Sequence, residues 1–299
     1  MKILVTGGHG FVGNALIKKL KERYTDMQLL APTSSELNLL DERATQSYIA
    51  TNKPDCVFHL AARLGGVGLV SGKPLAFLES NLRINLNLVS AVNLVGSVRF
   101  ITLGSSCCYA EDAPLPNEET SLWRGHPENT YGICKLVLLE QLVHSSANWT
   151  YLIPPNIYGP GDHFGEADAH FIPATVMKLK KAAEEGKREI EVWGDGSQTR
   201  DFVYVDDMVH FLLAAFEDDR YSGRPINVGT GVEVSVREIV EHIREIMGGS
   251  NRINIRWAPD KPTGTKRKAL DNGVLRGLAP DYAFMDIAEG LRRTVRSWV

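Results

Sequence analysis

Tyr131 and Lys135 stand four residues apart in Thr130-Tyr131-Gly132-Ile133-Cys134-Lys135-Leu136. The run from Lys135 to Val143 holds no proline or glycine and reads as a helix. Positions i and i+4 share one helix face, so the phenol and the ammonium point at one place. An ordinary tyrosine titrates near ~10. A neighbouring cation favours the phenolate and lowers that value, which equips a tyrosine as general acid/base for a hydroxyl or a carbonyl. The same spacing also arises on plain helix surfaces, so the surrounding motifs must give the pair its meaning.

Ile3-Leu4-Val5 reads as a buried strand, and Gly7-Gly8-His9-Gly10-Phe11-Val12-Gly13 follows at once. From Asn14 the apolar residues recur at helical spacing. A strand, a glycine turn and a helix in that order let the backbone approach a pyrophosphate seated on the helix N-terminus. Residues 27–31 read as a second strand, ending in Pro32-Thr33-Ser34-Ser35. NAD binders often carry an acid there and NADP binders an Arg; this turn has neither. Its hydroxyls, with His9, suit a 2′-phosphate, which points to NADP, with NAD as the alternative. Asp41 either caps the next helix or touches adenine. Residues 55–62 form a further buried strand whose small Ala61 and Ala62 admit a ribose. Residues 63–68 read as a flexible loop and 74–95 as a long helix. The strand 98–103 runs into Gly104-Ser105-Ser106-Cys107-Cys108-Tyr109. Chemistry in open α/β sheets sits at the carboxyl ends of strands, so two hydroxyls and a thiol stand where a substrate would lie. Taken alone, they are equally a polar turn and a buried cysteine.

A strand at 149–153 leads into Pro154-Pro155-Asn156-Ile157-Tyr158-Gly159-Pro160-Gly161. A polar, loop-like segment over 162–169 follows. Helices are expected at 174–185, from about 207 to 216, and at 236–247, with strands at 190–193 and 225–229. A basic cluster, Lys261, Lys266, Arg267 and Lys268, closes the series. The fold expected is α/β: a Rossmann, doubly wound parallel sheet over 1–158, with a return around 197–228, and a smaller α/β substrate domain over 159–299. The cleft between them is the expected substrate site.

With 299 residues, 43% hydrophobic and 23% charged, the chain has an ordinary globular composition. A net charge of −3 gives no general pull toward nucleic acid or an anionic membrane. No apolar run approaches the ~18 residues of a membrane span, and the start runs into a strand without a signal-peptide pattern. Cys56, Cys107, Cys108 and Cys134 lack zinc-like spacing and read as reduced thiols of a cytoplasmic protein.

The glycine turn, Ser105 at a strand end and Tyr131-x-x-x-Lys135 together resemble the extended short-chain dehydrogenase/reductases. Asn156-Ile157-Tyr158-Gly159-Pro160, the segment 200–207 and Asn227-Val228-Gly229-Thr230-Gly231 extend the likeness along nearly the whole chain. A narrower likeness, carried by 36–41, 104–107, 162–174 and 261–268, is to the GDP-L-fucose synthase family. The resemblance implies an enzyme that epimerises carbons 3 and 5 of GDP-4-keto-6-deoxy-mannose and reduces carbon 4 with NADPH. It implies Ser105 and Tyr131 on the sugar ketone, Lys135 on the nicotinamide ribose, Cys107 as base and His170 as acid. It further implies cofactor contacts from Gly7, Gly10, Phe11, Val12, Gly13, Thr33, Asp41, Leu60, Ala61, Ala62, Tyr131, Lys135 and His170. Substrate contacts would come from Ser106, Asn156, Lys178, Trp193, Arg200 and Lys268, and the superfamily habit implies a homodimer. Where the family often has Arg in the glycine turn and after the second strand, this chain has His9 and Pro32-Thr33-Ser34; Pro155 and Lys178 also depart from it. Alternatives are another nucleotide-sugar epimerase or 4-keto reductase on the same scaffold, or a non-enzymatic NAD(P)-binding regulator.

Overall fold

A computed structural model describes residues 1–63, 74–127, 129–163, 169–248, 253–261 and 264–298. The loop expected after Arg63, most of the segment 162–169 and residues 262–263 lie outside these.

Five short apolar runs form the centre: β1 (Lys2–Thr6), β2 (Gln28–Leu30), β3 (Cys56–His59), β4 (Arg99–Leu103) and β5 (Asn148–Ile153). Further along the chain come β6 (Asn156–Tyr158), β7 (Glu189–Trp193), β8 (Thr199–Arg200), β9 (Phe202–Tyr204), β10 (Pro225–Asn227), β11 (Val234–Ser235), β12 (Asn254–Ala258) and β13 (Arg267–Lys268). The six-stranded sheet runs β10-β5-β4-β3-β1-β2, and every pair in it is parallel. A parallel sheet must be covered on both faces, and successive side chains on a strand go to opposite faces. Leu4 accordingly packs with Val57, Phe100 and Leu136, whereas Ile3 and Val5 pack with Phe58, Ile101 and Met208.

One face is covered by α2 (Glu42–Asn52), α3 (Pro74–Val95) and α4 (Thr130–Val143). The other is covered by α1 (Phe11–Arg23) and, further along the chain, α6 (Val205–Glu217). The strand order reverses between β1 and β3, and a crevice opens at the carboxyl ends of strands at such a switch point.

A second group of elements sits beyond those strand ends. It contains the β7–β12, β6–β9 and β11-β8-β13 pairings. With them are α5 (Phe171–Glu184), α7 (Val236–Ile246) and α9 (Ile287–Arg296), whereas α8 (Gly273–Leu278) packs through Leu275 on the α1–α6 side of the sheet. Tyr158, Val176, Val192, Ile239 and Leu291 share its own core. No described helix is long and apolar enough to cross a membrane.

Candidate active site

A cavity of about 1450 Å³ lies between the sheet's carboxyl edge and the second group. The glycine turn forms one end. Gly7 has φ +71°, and a Cβ there would stand 2.6 Å from the Ala61 nitrogen. A Cβ on Gly13 would stand 2.1 Å from the Gly7 carbonyl oxygen. Only hydrogen fits at either place, so the turn is drawn tightly under β3. Gly10 caps α1 without a side chain, and the first helical turn holds no acid. The N-terminal amides are therefore left for an anion, and a dinucleotide pyrophosphate fits this cradle. Phe11, Val12, Leu60, Ala61 and Ala62 line the cavity beside it.

At the adenosine end Thr33 lines the wall. Glu36, three residues on, folds back, so the turn is not free of acid as its four-residue reading implied. Its carboxylate accepts from the Thr33 N–H (2.8 Å) and hydroxyl (2.9 Å). These bonds hold it below the usual carboxylate range. His9 Nε2 lies 3.0 Å from the Ala31 carbonyl oxygen. Asp41 accepts from the Ala44 N–H at 3.0 Å as the cap of α2 and is not among the lining residues.

Ser105, Ser106 and Cys107 close β4 and line the cavity. The Ser105 hydroxyl oxygen accepts from the Cys107 N–H at 3.2 Å, which leaves its own proton to donate. A Cβ on Gly132 would stand 2.0 Å from the Cys107 carbonyl oxygen, so α4 lies directly against this turn. Lys135 Nζ sits 5.4 Å from the Tyr131 ring centroid, and the buried Tyr151 hydroxyl donates to the Lys135 carbonyl at 2.8 Å.

The electrostatics correct the sequence expectation for Tyr131. Its phenol is pushed up, not down, by burial and by the neighbouring thiols Cys107, Cys108 and Cys134. Burial also brings Lys135 down to about 8. The low-dielectric wall outweighs the cation here, and the phenol stays a proton donor. Below it lies a network that sequence reading missed. Asn85 donates Nδ2–H to the Cys134 carbonyl, so its Oδ1 accepts from His59 Nε2 (3.1 Å). His59 Nδ1 then accepts from the Thr6 hydroxyl at 2.8 Å. Burial and Lys135 hold His59 at about 3, a neutral pin for the strand that feeds the glycine turn.

The far wall comes from the second group. His170 is the N-cap residue of α5 and lines the cavity with Asp162. Its Nδ1 lies 3.2 Å from Asp162 Oδ1 and 3.3 Å from Oδ2. The parallel register of β13 on β8 sets Lys268 beside Arg200. Lys268 Nζ reaches within 3.8 Å of Cys107 Sγ, a meeting across 161 residues that no local pattern announces. Trp193 ends β7, is 54% exposed and lines the same wall. Asn156 Nδ2 donates to the Asp201 carbonyl at 3.3 Å and also lines the cavity. Lys178 Nζ instead donates to the Glu191 carbonyl at 3.4 Å, away from the lining residues.

The model of the NAD dependent epimerase/dehydratase family matches residues 3–229. The chain belongs to that family. Among its relatives, a putative GDP-L-fucose synthase 2 of Arabidopsis thaliana is 35% identical over 286 residues, covering 93% of this chain and 85% of that protein. GDP-L-colitose synthase of Yersinia pseudotuberculosis is 32% identical over 302 residues, covering 98% and 96%. The crystal structure of a GDP-L-fucose synthetase from Naegleria fowleri bound to NADP superposes with a TM-score of 0.88 at 25% identity. It covers 99% of this chain and 92% of that one.

Proposed function

We propose that this family member is an NADPH-dependent GDP-sugar 3,5-epimerase/4-reductase, taking GDP-4-keto-6-deoxy-mannose or a closely related GDP-sugar to GDP-L-fucose or its counterpart. One observation carries the reading. Ser105, Cys107, Tyr131 and Lys135 from the sheet side and His170 from the opposite group line one cavity beside a dinucleotide cradle. Relatives named GDP-L-fucose synthase and GDP-L-colitose synthase support the GDP-sugar class.

Gly7, Gly10 and Gly13 with the α1 N-terminus would hold the pyrophosphate, and Thr33 the adenosine ribose side. NADPH supplies the hydride when bound. A ketone at carbon 4 acidifies the hydrogens of carbons 3 and 5. Cys107 as thiolate takes such a proton, and the C–H electron pair moves onto the carbon 4 oxygen. Ser105 and Tyr131 donate hydrogen bonds to that oxygen where the charge develops. Lys268 places an ammonium beside the sulfur. His170 returns a proton to the other side of the carbon, so the configuration at that carbon inverts with no change in composition. Tyr131 finally gives its phenolic proton to the carbon 4 oxygen, and the Lys135 ammonium stabilises the phenolate left behind. Arg200 and Lys268 suit the substrate diphosphate, and Trp193 its nucleoside or sugar.

The chain is read as a sheet domain over 1–158 with a return around 197–228 and a substrate domain over 159–299, working as a cytoplasmic homodimer. Its four free thiols fit a reducing compartment.

The test is incubation with GDP-4-keto-6-deoxy-mannose and NADPH in D₂O, followed by NMR. Deuterium should enter at carbons 3 and 5, and Cys107→Ala should abolish it. Reduction with no exchange at either carbon would leave a plain 4-keto reductase.

A further inference from the structure

The hydroxyls of the turn after β2 are largely spent on the turn itself. Thr33 gives both its N–H and its hydroxyl proton to Glu36, at 2.8 and 2.9 Å. A hydroxyl has one proton, so the Ser35 hydroxyl, 2.9 Å from Thr33 Oγ1, donates to that oxygen in turn. Among the described residues, the Ser34 hydroxyl is the one of the three whose proton is left for a ligand, and Ser34 lines the cavity. One neutral donor is a thin grip on a phosphate carrying up to two charges.

His9 stands on the other side of this end. From the glycine turn its ring reaches the Ala31 carbonyl oxygen just past β2, with Nε2 at 3.0 Å. A carbonyl only accepts, so the hydrogen of the neutral ring is on Nε2. Nδ1 takes no bond among the described residues, and His9 lines the cavity with Pro32, Thr33 and Ser34. The neutral ring thus keeps a lone pair on Nδ1, and the imidazolium puts an N–H there. From α1, the uncharged Asn14 donates Nδ2–H to the His9 carbonyl at 3.1 Å. From the turn, Glu36 sets a carboxylate against the ring, held ionised first by its Thr33 bonds and also by His9.

We infer that His9 makes the choice of cofactor depend on pH. As imidazolium it donates Nδ1–H to the 2′-phosphate of NADPH; as neutral ring it meets that phosphate with a lone pair. The preference for NADPH over NADH is therefore largest in acid and fades as His9 loses its proton. NADH has no 2′-phosphate, so its binding does not follow the ring. The inference concerns the cofactor and not the sugar, so its failure would leave the epimerase reading standing.

Dissociation constants of NADPH and NADH would be read by fluorescence titration from about pH 6.5 to 8.5 for wild type, His9→Gln and His9→Arg. The wild-type preference for NADPH should fall roughly tenfold across that range, the scale of one charge-assisted hydrogen bond. The phosphate gains its own second charge near pH ~6, which acts in the opposite direction, so the variants serve as the reference. His9→Gln donates at every pH, and His9→Arg keeps its charge throughout. Neither should lose preference as pH rises, and His9→Arg should show the larger preference of the two. NADH affinity should stay within about twofold in all three proteins. A wild-type preference that runs parallel to that of His9→Gln would overturn the inference. Failure of the wild type to bind either nucleotide would overturn the cradle, and the inference with it. A second measurement leaves the cradle unchanged. The wild-type His9 ring proton, assigned by its absence from the His9→Gln spectrum, should titrate at higher pH with NADP⁺ bound than with NAD⁺ bound. Equal titration with the two nucleotides would overturn the inference.

Discussion

Tyr131 is a donor before it is anything else. Burial and three nearby thiols keep the phenol protonated, the form the proposed reduction would consume. Tyr131→Phe should lower reduction of the keto sugar by ~10²-fold or more, with NADPH binding, read by fluorescence titration, within a few-fold. Wild-type turnover would remove Tyr131 from the reaction. Lys135, brought down to about 8, is charged below that pH and neutral above it. The phenolate left by Tyr131 therefore loses its counter-charge as pH rises, and kcat/KM for reduction should fall above about pH 8. A profile flat from pH 7 to 9.5 would show that the ammonium is not needed. That Tyr131, Lys135, Ser105 and Cys107 line one cavity was legible in the sequence, because the first two share a helix face and the other two close a strand of an open sheet. The direction of the Tyr131 shift was not, because it depends on how deeply the wall buries the phenol. The pairs Lys268–Cys107 and Thr6–His59 were illegible for a plainer reason: only the folded sheet brings such distant residues together.

Among the elements, the strand–glycine turn–helix unit was readable from the order of its residues, and 74–95 from its unbroken helical run. Gly13 shows why the pattern is strict. A methyl there meets the Gly7 carbonyl at 2.1 Å, and backbone cannot step aside cheaply. Gly13→Ala should weaken NADPH binding at least tenfold by opening the cradle, while the far-UV spectrum stays native. Unchanged binding would place the pyrophosphate elsewhere. The turn after β2 was read from four residues, and the fifth altered it. Glu36 takes both the amide and the hydroxyl of Thr33, so a carboxylate is bonded to the residue proposed to face the adenosine ribose, and the turn holds no arginine. NADPH should still be preferred over NADH, but by less than where an arginine clamps the phosphate. Glu36→Gln should widen the kcat/KM ratio toward NADPH, and a ratio favouring NADH in the wild type would refute the preference. The β8–β13 register was beyond sequence reading, since two-residue strands carry no periodicity.

At the scale of the molecule, the cavity is closed by parts of the chain far apart in sequence, and α3 and α4 carry exposed apolar side chains. Leu75 is 66% exposed and Leu94 72%, with Leu86 and Val143 also exposed. Leu75 and Leu86 are eleven residues apart, close to three helical turns, so they stand on one face of α3. Large apolar side chains gathered on one helix face mark an interaction surface more often than free solvent contact. In the proposed homodimer, a two-fold axis would pair this patch with itself. The active site lies on the inner side of these helices, so the dimer should support α4 without supplying a catalytic group. Light scattering on the wild type should give twice the 33.1 kDa chain mass. Leu75→Glu with Leu86→Glu should shift the population to monomer and lower the melting temperature. NADPH should still bind the monomer, because the glycine cradle lies within one chain. A wild type that stays monomeric at tens of micromolar, or a double variant that stays dimeric, would move the interface off α3.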